Sequence, residues 1–341
     1  MDLQQILNIL SNSAGVSGNE SFAGEAALEL LKKYCPDAHI DHMGSVIGTI
    51  NPKSIPENAP HVLLDAHLDQ VGFIITDITD DGFVKVGNVG GLDMRIMPAQ
   101  NVTLHGTAQI PGVIASIPPH LSGGERKVNE ITDLLIDTGM TKEELSAVIS
   151  LGDRITFDTP FLKLTGENIA SHSMDDRCGI AAILYALELI NNKNIPCRLS
   201  VLFSSQEEVG ECGAETAVYN IIPDIAIAVD VTFAIGHGDD PVKCGKLGKG
   251  AMIGVSPTLS REVSKSLIKT AEEKNIPWQT EVMNGTTGTN ADRFSVSRGG
   301  VKSCTLSIPL RYMHTPSEVI SIEDVRNTGK LLAEWIMGGA V

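Results

Sequence analysis

The pattern of hydrophobic and polar positions near the N-terminus predicts two helices followed by strands. The first helix has apolar residues along one face, namely Leu3, Ile6, Leu7 and Leu10. Ser17 or Asn19 is placed to cap a second helix, which we predict from Glu20 to Tyr34. The apolar segments SVIGTI and HVLLDA come next, and both are typical of strands.

Between residues 72 and 163 the pattern changes to short β segments separated by Gly turns, such as NVTLHG, GVIASI and DRITFD. One helical segment interrupts them. Thr141 and Glu144 have the spacing of a capping box at the start of that helix. The pattern therefore predicts a β-rich insert at residues 71–164.

After the insert, helices and strands alternate again. The helix DDRCGIAAILYALELI precedes the strand RLSVLFSS, and the strands DIAIAVDV and VKSCTLSI lie on either side of the helix SREVSKSLIKTAEEKN. Ser321 is placed to cap a terminal helix, with Asp324 three residues on. Continuous apolar strands between helices are typical of a buried parallel sheet. We therefore predict an α/β domain formed by residues 1–70 and 165–341.

The net charge of the chain limits the kinds of molecule that it can bind. The 42 acidic and 26 basic residues give a net charge of −16, which disfavours binding to nucleic acid and to anionic membranes.

Asp2 stands where a signal peptide would be positive, and no stretch reaches the 18 or so apolar residues of a membrane span. The six cysteines lack paired spacing, which favours reduced thiols. We expect a cytoplasmic protein.

Metal-binding residue types recur where the predicted strands end or a helix begins: His67, Asp175, Glu207, Glu208, Asp230 and His314. The carboxyl ends of strands in an open α/β sheet face one crevice. Two imidazoles and several carboxylates suit two divalent cations, with an Asp as the natural bridge. A further carboxylate that stays free of metal would act as a general base. A metal-dependent hydrolase is the first hypothesis.

Each candidate also has an ordinary structural explanation. Adjacent glutamates such as Glu207 and Glu208 often form a solvated turn, and Asp175 could belong to a helix N-cap. His314 could be a core histidine. Asp230 is harder to explain in this way, because a buried carboxylate in an apolar strand needs a partner or a metal. The joint placement of all these residues favours the metal site.

Seven segments give the chain a specific resemblance to a known family: DAHLDQVGF, GVIASIPPHL, MDDRCG, SSQEEVGECGAETA, AVDVTFA, LGKGAMI and RYMHTPSEV. They resemble the TET-type, tetrahedron-forming dinuclear metallo-aminopeptidases, which include glutamyl aminopeptidases and whose relatives are often labelled endoglucanase or cellulase. The resemblance covers nearly the whole chain. It implies a metallopeptidase-type α/β/α sandwich with a mixed, largely parallel sheet, a barrel-like insert used in subunit association, and a dodecamer built from dimers.

Carried over motif by motif, the resemblance assigns five metal ligands: His67 and Asp230 for one ion, Glu208 and His314 for the other, and Asp175 as the bridge. Glu207 becomes the general base, and Asp69 accepts a hydrogen bond from the ring of His67 and orients it. Zinc or cobalt is the expected metal, and manganese is compatible with the same ligands.

Two positions have no assigned role. Where the family commonly reads GTDA, this chain has Asn290, so the charge at that position is absent. This difference puts in doubt any substrate contact or supporting role there, although it does not affect the metal ligands. His120 matches a family motif in the insert, but the sequence indicates no function for it.

The predicted reaction is hydrolysis of the amino-terminal peptide bond of short peptides, with Glu207 taking a proton from water and returning it to the leaving amine. A related metal-dependent carboxypeptidase or deacylase is the main alternative, and peptides with blocked amino termini distinguish it. A glycoside hydrolase fits less well, because 2 Trp and 4 Tyr offer few sugar-stacking platforms. A non-catalytic metal scaffold would have no need of Glu207.

Overall fold

The computed structural model describes residues 1–52, 55, 58–118, 120–121, 128 and 130–340. Its α-helices are α1 Leu3–Ser11, α2 Ser21–Leu31, α3 Lys142–Ser146, α4 Met174–Ile190, α5 Cys212–Ile221, α6 Arg261–Glu273, α7 Ala291–Ser295 and α8 Ile322–Met337. No helix in the described ranges is long and apolar enough to cross a membrane.

The strands fall into a large sheet and a barrel. Those of the sheet are β1 His39–Ile40, β2 Val46–Ile50, β3 His61–His67, β10 Leu162–Lys163, β11 Asn168–Ser171, β12 Arg198–Ser204, β13 Ile225–Phe233, β14 Ala251–Val255, β15 Trp278–Val282, β16 Lys302–Arg311 and β17 Glu318–Ser321. Those of the barrel are β4 Gly72–Ile78, β5 Val84–Val89, β6 Asn101–His105, β7 Gln109–Ile114, β8 Leu135–Asp137 and β9 Arg154–Phe157.

The centre of the large sheet consists of β12, β3, β13 and β16, which are adjacent in that order and parallel. Antiparallel strands flank this centre, with β2 next to β12 and with β17 and β14 next to β16. The sheet is therefore mixed, and the predicted α/β class is confirmed. Because the four central strands run in the same direction, their carboxyl ends meet at one edge.

Helices cover both faces of the sheet. Alternate residues of a strand point to opposite faces, and Leu63 and Ala228 accordingly pack with helices α5 and α7. Their chain neighbours Leu64 and Val229 belong to the core beneath α4 and α8 on the opposite face. These strands are buried on both sides, which explains their continuous apolar sequences.

The barrel closes in the order β4, β5, β8, β7, β6 and β9, and has its own apolar core. Phe73 and Phe157 pack edge to face in this core, with ring centroids 5.5 Å apart. The predicted capping box is present at α3, where the backbone N–H of Thr141 donates to the Glu144 carboxylate at 2.9 Å. The barrel-like insert is thus confirmed as an element of the fold.

The predicted cap of the second helix is wrong. Helix α2 has Glu20 at its N-cap position and no side-chain hydrogen bond there, so neither Ser17 nor Asn19 caps it. The Ser17 hydroxyl instead donates to Asp69 at 2.6 Å, deep in the molecule. A charged acceptor makes a stronger hydrogen bond than the cap would offer, and only the folded chain brings that acceptor near.

Candidate active site

A cleft of about 470 Å³ opens at the carboxyl edge of the central strands. Its walls carry all the metal-ligand candidates and the candidate base: His67, Asp175, Glu207, Glu208, Asp230 and His314. His67 is the last residue of β3, and the two glutamates lie in the turn after β12. His314 follows β16, whereas Asp230 lies inside β13 rather than at its end.

Asp175 lies between the two histidines. Its Oδ1 is 2.9 Å from Nε2 of His67, and its Oδ2 is 3.4 Å from Nε2 of His314. The two oxygens of one carboxylate therefore face two different imidazoles. Asp175 and the next residue, Asp176, have non-helical backbone angles at the start of α4, and the peptide bond between them is cis.

The other acids complete two groups around Asp175. Asp230 Oδ1 is 4.0 Å from Nε2 of His67, and Glu208 Oε1 is 3.4 Å from Nε2 of His314. Within each group, one nitrogen or oxygen atom per residue lies within 4.8 Å of the others. The arrangement thus offers two sets of metal-ligand atoms that share Asp175.

The cleft is strongly acidic. Burial raises the pKa of Glu207 to about 10 and that of Asp230 to about 7, and it also raises the pKa of Glu208. Although burial opposes it, hydrogen bonds from His314 and His67 hold the pKa of Asp175 below its usual range. No described residue lining the cleft is Lys or Arg. Such a set of buried acids is stabilised by cations.

Asp69 holds the turn that carries the two glutamates. Its fully buried carboxylate accepts from the backbone N–H of Glu207 at 2.9 Å through Oδ1 and from that of Glu208 at 3.1 Å through Oδ2. The Ser17 hydroxyl also donates to Oδ2. The nearest acceptor for Nδ1 of His67 is the backbone carbonyl of Asp69 at 3.0 Å, with the carboxylate 3.5 Å away. The Asp69 carboxylate therefore bonds to the turn after β12 and to Ser17, which the HxD spacing did not predict.

Two buried acids that the sequence analysis did not select also support the site. Glu318 accepts from the backbone N–H of Asp175 at 3.1 Å and from that of His314 at 2.8 Å. Asp176 accepts from the backbone N–H of His67 at 3.2 Å and from that of Gly179 at 3.1 Å. Asp176 directly follows Asp175, and Glu318 lies four residues after His314; this proximity was the only available signal.

The barrel also reaches the cleft. A Cβ atom on Gly91 would lie 3.0 Å from Nδ1 of His314, and one on Gly90 would lie 3.3 Å from the Glu208 side chain. Gly90 has a φ of +75°, which disfavours other residues. The loop after β5 thus approaches the site so closely that only glycines fit without displacement.

Asn290, the departure from the family pattern, is buried behind the cleft. Its amide donates to Asp65 at 2.8 Å and to the hydroxyl of Ser204 at 2.8 Å. An Asp at this position would face a second carboxylate, whereas the amide supplies the hydrogen that Asp65 accepts. Asp65 on β3 therefore explains the exchange.

His120 is exposed in the segment after β7 and is not among the described residues that line the cleft. Among the described residues, none makes a contact with His120 that explains the motif. All six cysteines are free, and Cys35, Cys178, Cys197 and Cys304 are buried.

Comparisons with known proteins identify relatives of this chain. A family model described as M42 glutamyl aminopeptidase matches residues 44–331. The lysyl aminopeptidase of Pyrococcus furiosus is 30% identical over 96% of this chain and 94% of its own length. The glutamyl aminopeptidase of Lactococcus lactis is 31% identical over 95% of this chain and 93% of its own.

Solved structures show the same fold. An aminopeptidase from Desulfurococcus kamchatkensis superposes with a TM-score of 0.91 at 32% identity, over 98% of this chain and 94% of that one. The TET1 peptidase of Pyrococcus horikoshii, described as assembling into a tetrahedron or a large octahedral shell, has a TM-score of 0.86 at 29% identity over 98% and 99%. A Thermotoga maritima protein labelled endoglucanase has a TM-score of 0.79 at 26% identity over 98% and 97%.

Proposed function

We propose a two-metal mechanism for this chain, which belongs to the M42 glutamyl aminopeptidase family. The chain is a peptide hydrolase of the aminopeptidase type, and the family uses divalent metal ions. The identity and number of the ions, the role of each residue and the assembly are our proposals.

The observation that carries the proposal is the position of Asp175, whose two oxygens face different histidines at 2.9 and 3.4 Å. We assign one ion to His67, Asp230 and Asp175, and the other to Asp175, Glu208 and His314. Imidazole nitrogen and carboxylate oxygen are ligands that zinc, cobalt and manganese accept, with zinc or cobalt expected. No Lys or Arg is among the described residues that line the cleft, which fits this assignment, since cations would compensate the buried acids.

When bound, the two ions would lower the pKa of water and polarise the scissile carbonyl. Glu207 is the acid left outside both ligand groups that contain Asp175. Its carboxylate takes a proton from the attacking water and returns it to the leaving amine. Asp69 keeps Glu207 in place through the backbone N–H bond at 2.9 Å.

Specificity for amino termini follows from charge. The free α-amine of a peptide is cationic, and the acids of the cleft that hold neither proposed ion attract it, whereas they would repel a C-terminal carboxylate. This sign disfavours the related carboxypeptidase, and the deacylase alternative is tested with acetylated substrates. The names of the relatives do not fix the preferred residue, because lysyl and glutamyl side chains carry opposite charges.

We further propose that residues 1–70 and 165–341 form the catalytic domain and that 71–164 form an oligomerisation domain. Val113, Ile117 and Leu121 expose apolar side chains on or just after β7 of the barrel, with Leu121 79% exposed. Three large apolar side chains exposed in one short segment fit a contact surface. A homo-oligomer, dodecameric and built from dimers as in TET-type assemblies, would cover them and restrict the cytoplasmic enzyme to short peptides.

The test uses aminoacyl reporter substrates and their N-acetylated counterparts on purified protein, before and after chelation. We expect chelation to abolish hydrolysis, zinc, cobalt or manganese to restore it, and acetylation to block it. Metal analysis should give two equivalents per chain. Cleavage of acetylated substrates at equal rates would favour the deacylase, and one equivalent at full activity would contradict the two-metal centre.

Light scattering tests the assembly separately. A monodisperse, active monomer would contradict the oligomer. A folded protein with an accessible N-terminus should resist trimming while a short peptide of the same N-terminal sequence is digested, and equal rates would contradict size exclusion.

A further inference from the structure

One wall of the cleft carries an acid that belongs to neither proposed metal group. Glu281 on β15 lines the cleft together with Thr232 of β13 and Ser307 of β16. The Thr232 hydroxyl donates to Oε1 of Glu281, and the Ser307 hydroxyl donates to Oε2 at 2.7 Å. Each carboxylate oxygen is therefore oriented by a hydroxyl from a different strand of the central sheet.

No described residue forms a salt bridge with Glu281, and none of the described residues lining the cleft is Lys or Arg. Arg293, which does not line the cleft, lies 3.0 Å from Glu211 and 3.6 Å from Glu215. Burial raises the pKa of Glu281, against the hydrogen bonds from Thr232 and Ser307. Hydroxyl groups alone compensate a carboxylate incompletely, so a cation entering the cleft would stabilise it.

A second polar group in this wall has no hydrogen-bond partner in the described part of the chain. The hydroxyl of Thr305, a residue only 1% exposed, has no hydrogen-bond partner among the described residues, and Thr305 lines the cleft. A Cβ atom on Gly254 would lie 2.0 Å from this hydroxyl, so the glycine leaves room for it. Gly254 pairs with Glu281 across β14 and β15. An unpaired buried hydroxyl costs free energy unless a ligand or water bonds to it.

We infer that Glu281 is a specificity-determining residue that binds the side chain of an N-terminal lysine or arginine, so that this enzyme prefers basic amino-terminal residues. This inference rests on the proposed aminopeptidase function and metal centre. An N-terminal glutamate would meet the Glu281 carboxylate and no basic residue among those described in the wall. The structure thus favours a basic side chain over an acidic one.

The distances along the sheet fit this assignment. Thr232 lies two residues beyond Asp230 on β13, about 6.6 Å along the strand and on the same face. Ser307 is the register partner of Asp230 on β16, about 4.8 Å away. Glu281 bonds to both, so its carboxylate is separated from the proposed metal ligand by about the length of one extended side chain. Lysine, with its four-carbon stem and terminal ammonium, can span that separation.

The first experiment needs no variant. Reporter substrates with lysine and with norleucine, which has a similar chain but no ammonium, are compared with leucine and glutamate substrates on the metal-loaded wild type. We expect kcat/KM to be roughly 10- to 100-fold higher for lysine than for norleucine, as for one charge-assisted hydrogen bond. Equal values for lysine and norleucine, or a preference for glutamate, would overturn the inference.

The second experiment compares Glu281→Gln with Glu273→Gln, the same change on the exposed surface of α6. Gln can still bond to both hydroxyls, so a purely structural role would tolerate it. For Glu281→Gln we expect kcat/KM to fall roughly 10- to 100-fold for lysine and to change less than about threefold for leucine. An equal loss on both substrates would contradict a role in specificity.

The outcomes separate this inference from the proposed function. If no aminoacyl substrate is hydrolysed with any metal, the aminopeptidase proposal fails and this inference fails with it. If leucine and norleucine substrates are hydrolysed but lysine has no advantage, only the inference fails. Should Glu281→Gln fold poorly, the lysine and norleucine comparison on the wild type still decides.

Discussion

Replacing Asp69 by Asn tests how the turn bearing the proposed base is held. The carboxylate accepts three hydrogen bonds, from the N–H of Glu207 at 2.9 Å, the N–H of Glu208 at 3.1 Å and the Ser17 hydroxyl at 2.6 Å. An Asn side chain has one oxygen in place of two. In the less destabilising of the two Asn orientations, the amide oxygen stays at the Oδ2 position and still accepts from Ser17 and from the N–H of Glu208. The amide NH2 group then faces the N–H of Glu207, which loses its acceptor.

At least one charge-assisted bond is then lost, and the remaining two weaken as their acceptor loses its charge. Such bonds contribute about 1.5 to 3 kcal/mol each, so we expect Asp69→Asn to lower the free energy of unfolding by about 2 to 4 kcal/mol. Because the lost bond is the one that positions Glu207, kcat should fall roughly 10- to 100-fold with little change in KM. The backbone carbonyl of Asp69 still faces His67 at 3.0 Å, so the metal content should persist.

The assay measures kcat, KM, metal equivalents and urea unfolding on the same preparations. Ser17→Ala removes one of the three bonds and should have a smaller effect on kcat, since the bond to Glu207 remains. Asp77→Asn, the same change at an exposed barrel position, should match the wild type. If Asp69→Asn has full metal content and a kcat within about twofold of the wild type, the positioning role is wrong.

Further substitutions address the other roles. Glu207→Gln should retain both metals and the fold but lose on the order of 10² to 10⁴ in rate, because an amide cannot accept the proton, and near wild-type turnover would reject the base assignment. Asp175→Asn should reduce metal occupancy at both positions, whereas His314→Ala should reduce it mainly at one. Two full metal equivalents on the Asp175 variant would show that Asp175 does not bridge the ions. Asn290→Asp should lower the free energy of unfolding by about 1 to 3 kcal/mol, since the new carboxylate faces the buried carboxylate of Asp65. Adding Asp65→Asn should restore much of this loss in urea unfolding. Additive losses in the double variant would contradict a direct pairing.

The sequence was sufficient for the parts of the structure that depend on local order. Apolar runs identified the parallel strands, and the capping box at Thr141 and Glu144 identified a helix start, because hydrophobic period and capping act over a few residues. The strand direction common to β3, β12, β13 and β16 also follows from such patterns. It places His67, the Glu207 turn and His314 at one edge of the sheet.

Contacts between segments that are far apart in the sequence could not be predicted from local patterns. Ser17 has the local signature of a helix cap, yet its hydroxyl bonds to Asp69, 52 residues away, because a buried carboxylate is a stronger acceptor than a helix end. Glu281 has nothing unusual in its own segment. Its partners Thr232 and Ser307 come from two other strands, and the register between strands alone brings them together.

The difference between what the sequence predicted and what it did not predict follows from how far along the chain each interaction acts. Backbone hydrogen bonding and hydrophobic period determine elements from neighbours in sequence, so the sequence itself determined the sheet, the barrel-bearing insert and the edge where the candidate ligands collect. Hydrogen-bond donors and charges around one buried carboxylate come from whichever segments the fold places there. Tertiary structure alone therefore decided that Asp175 faces both histidines, that Glu318 and Asp69 hold the site backbone, and that Glu281 stands in a cleft wall where no described residue is Lys or Arg.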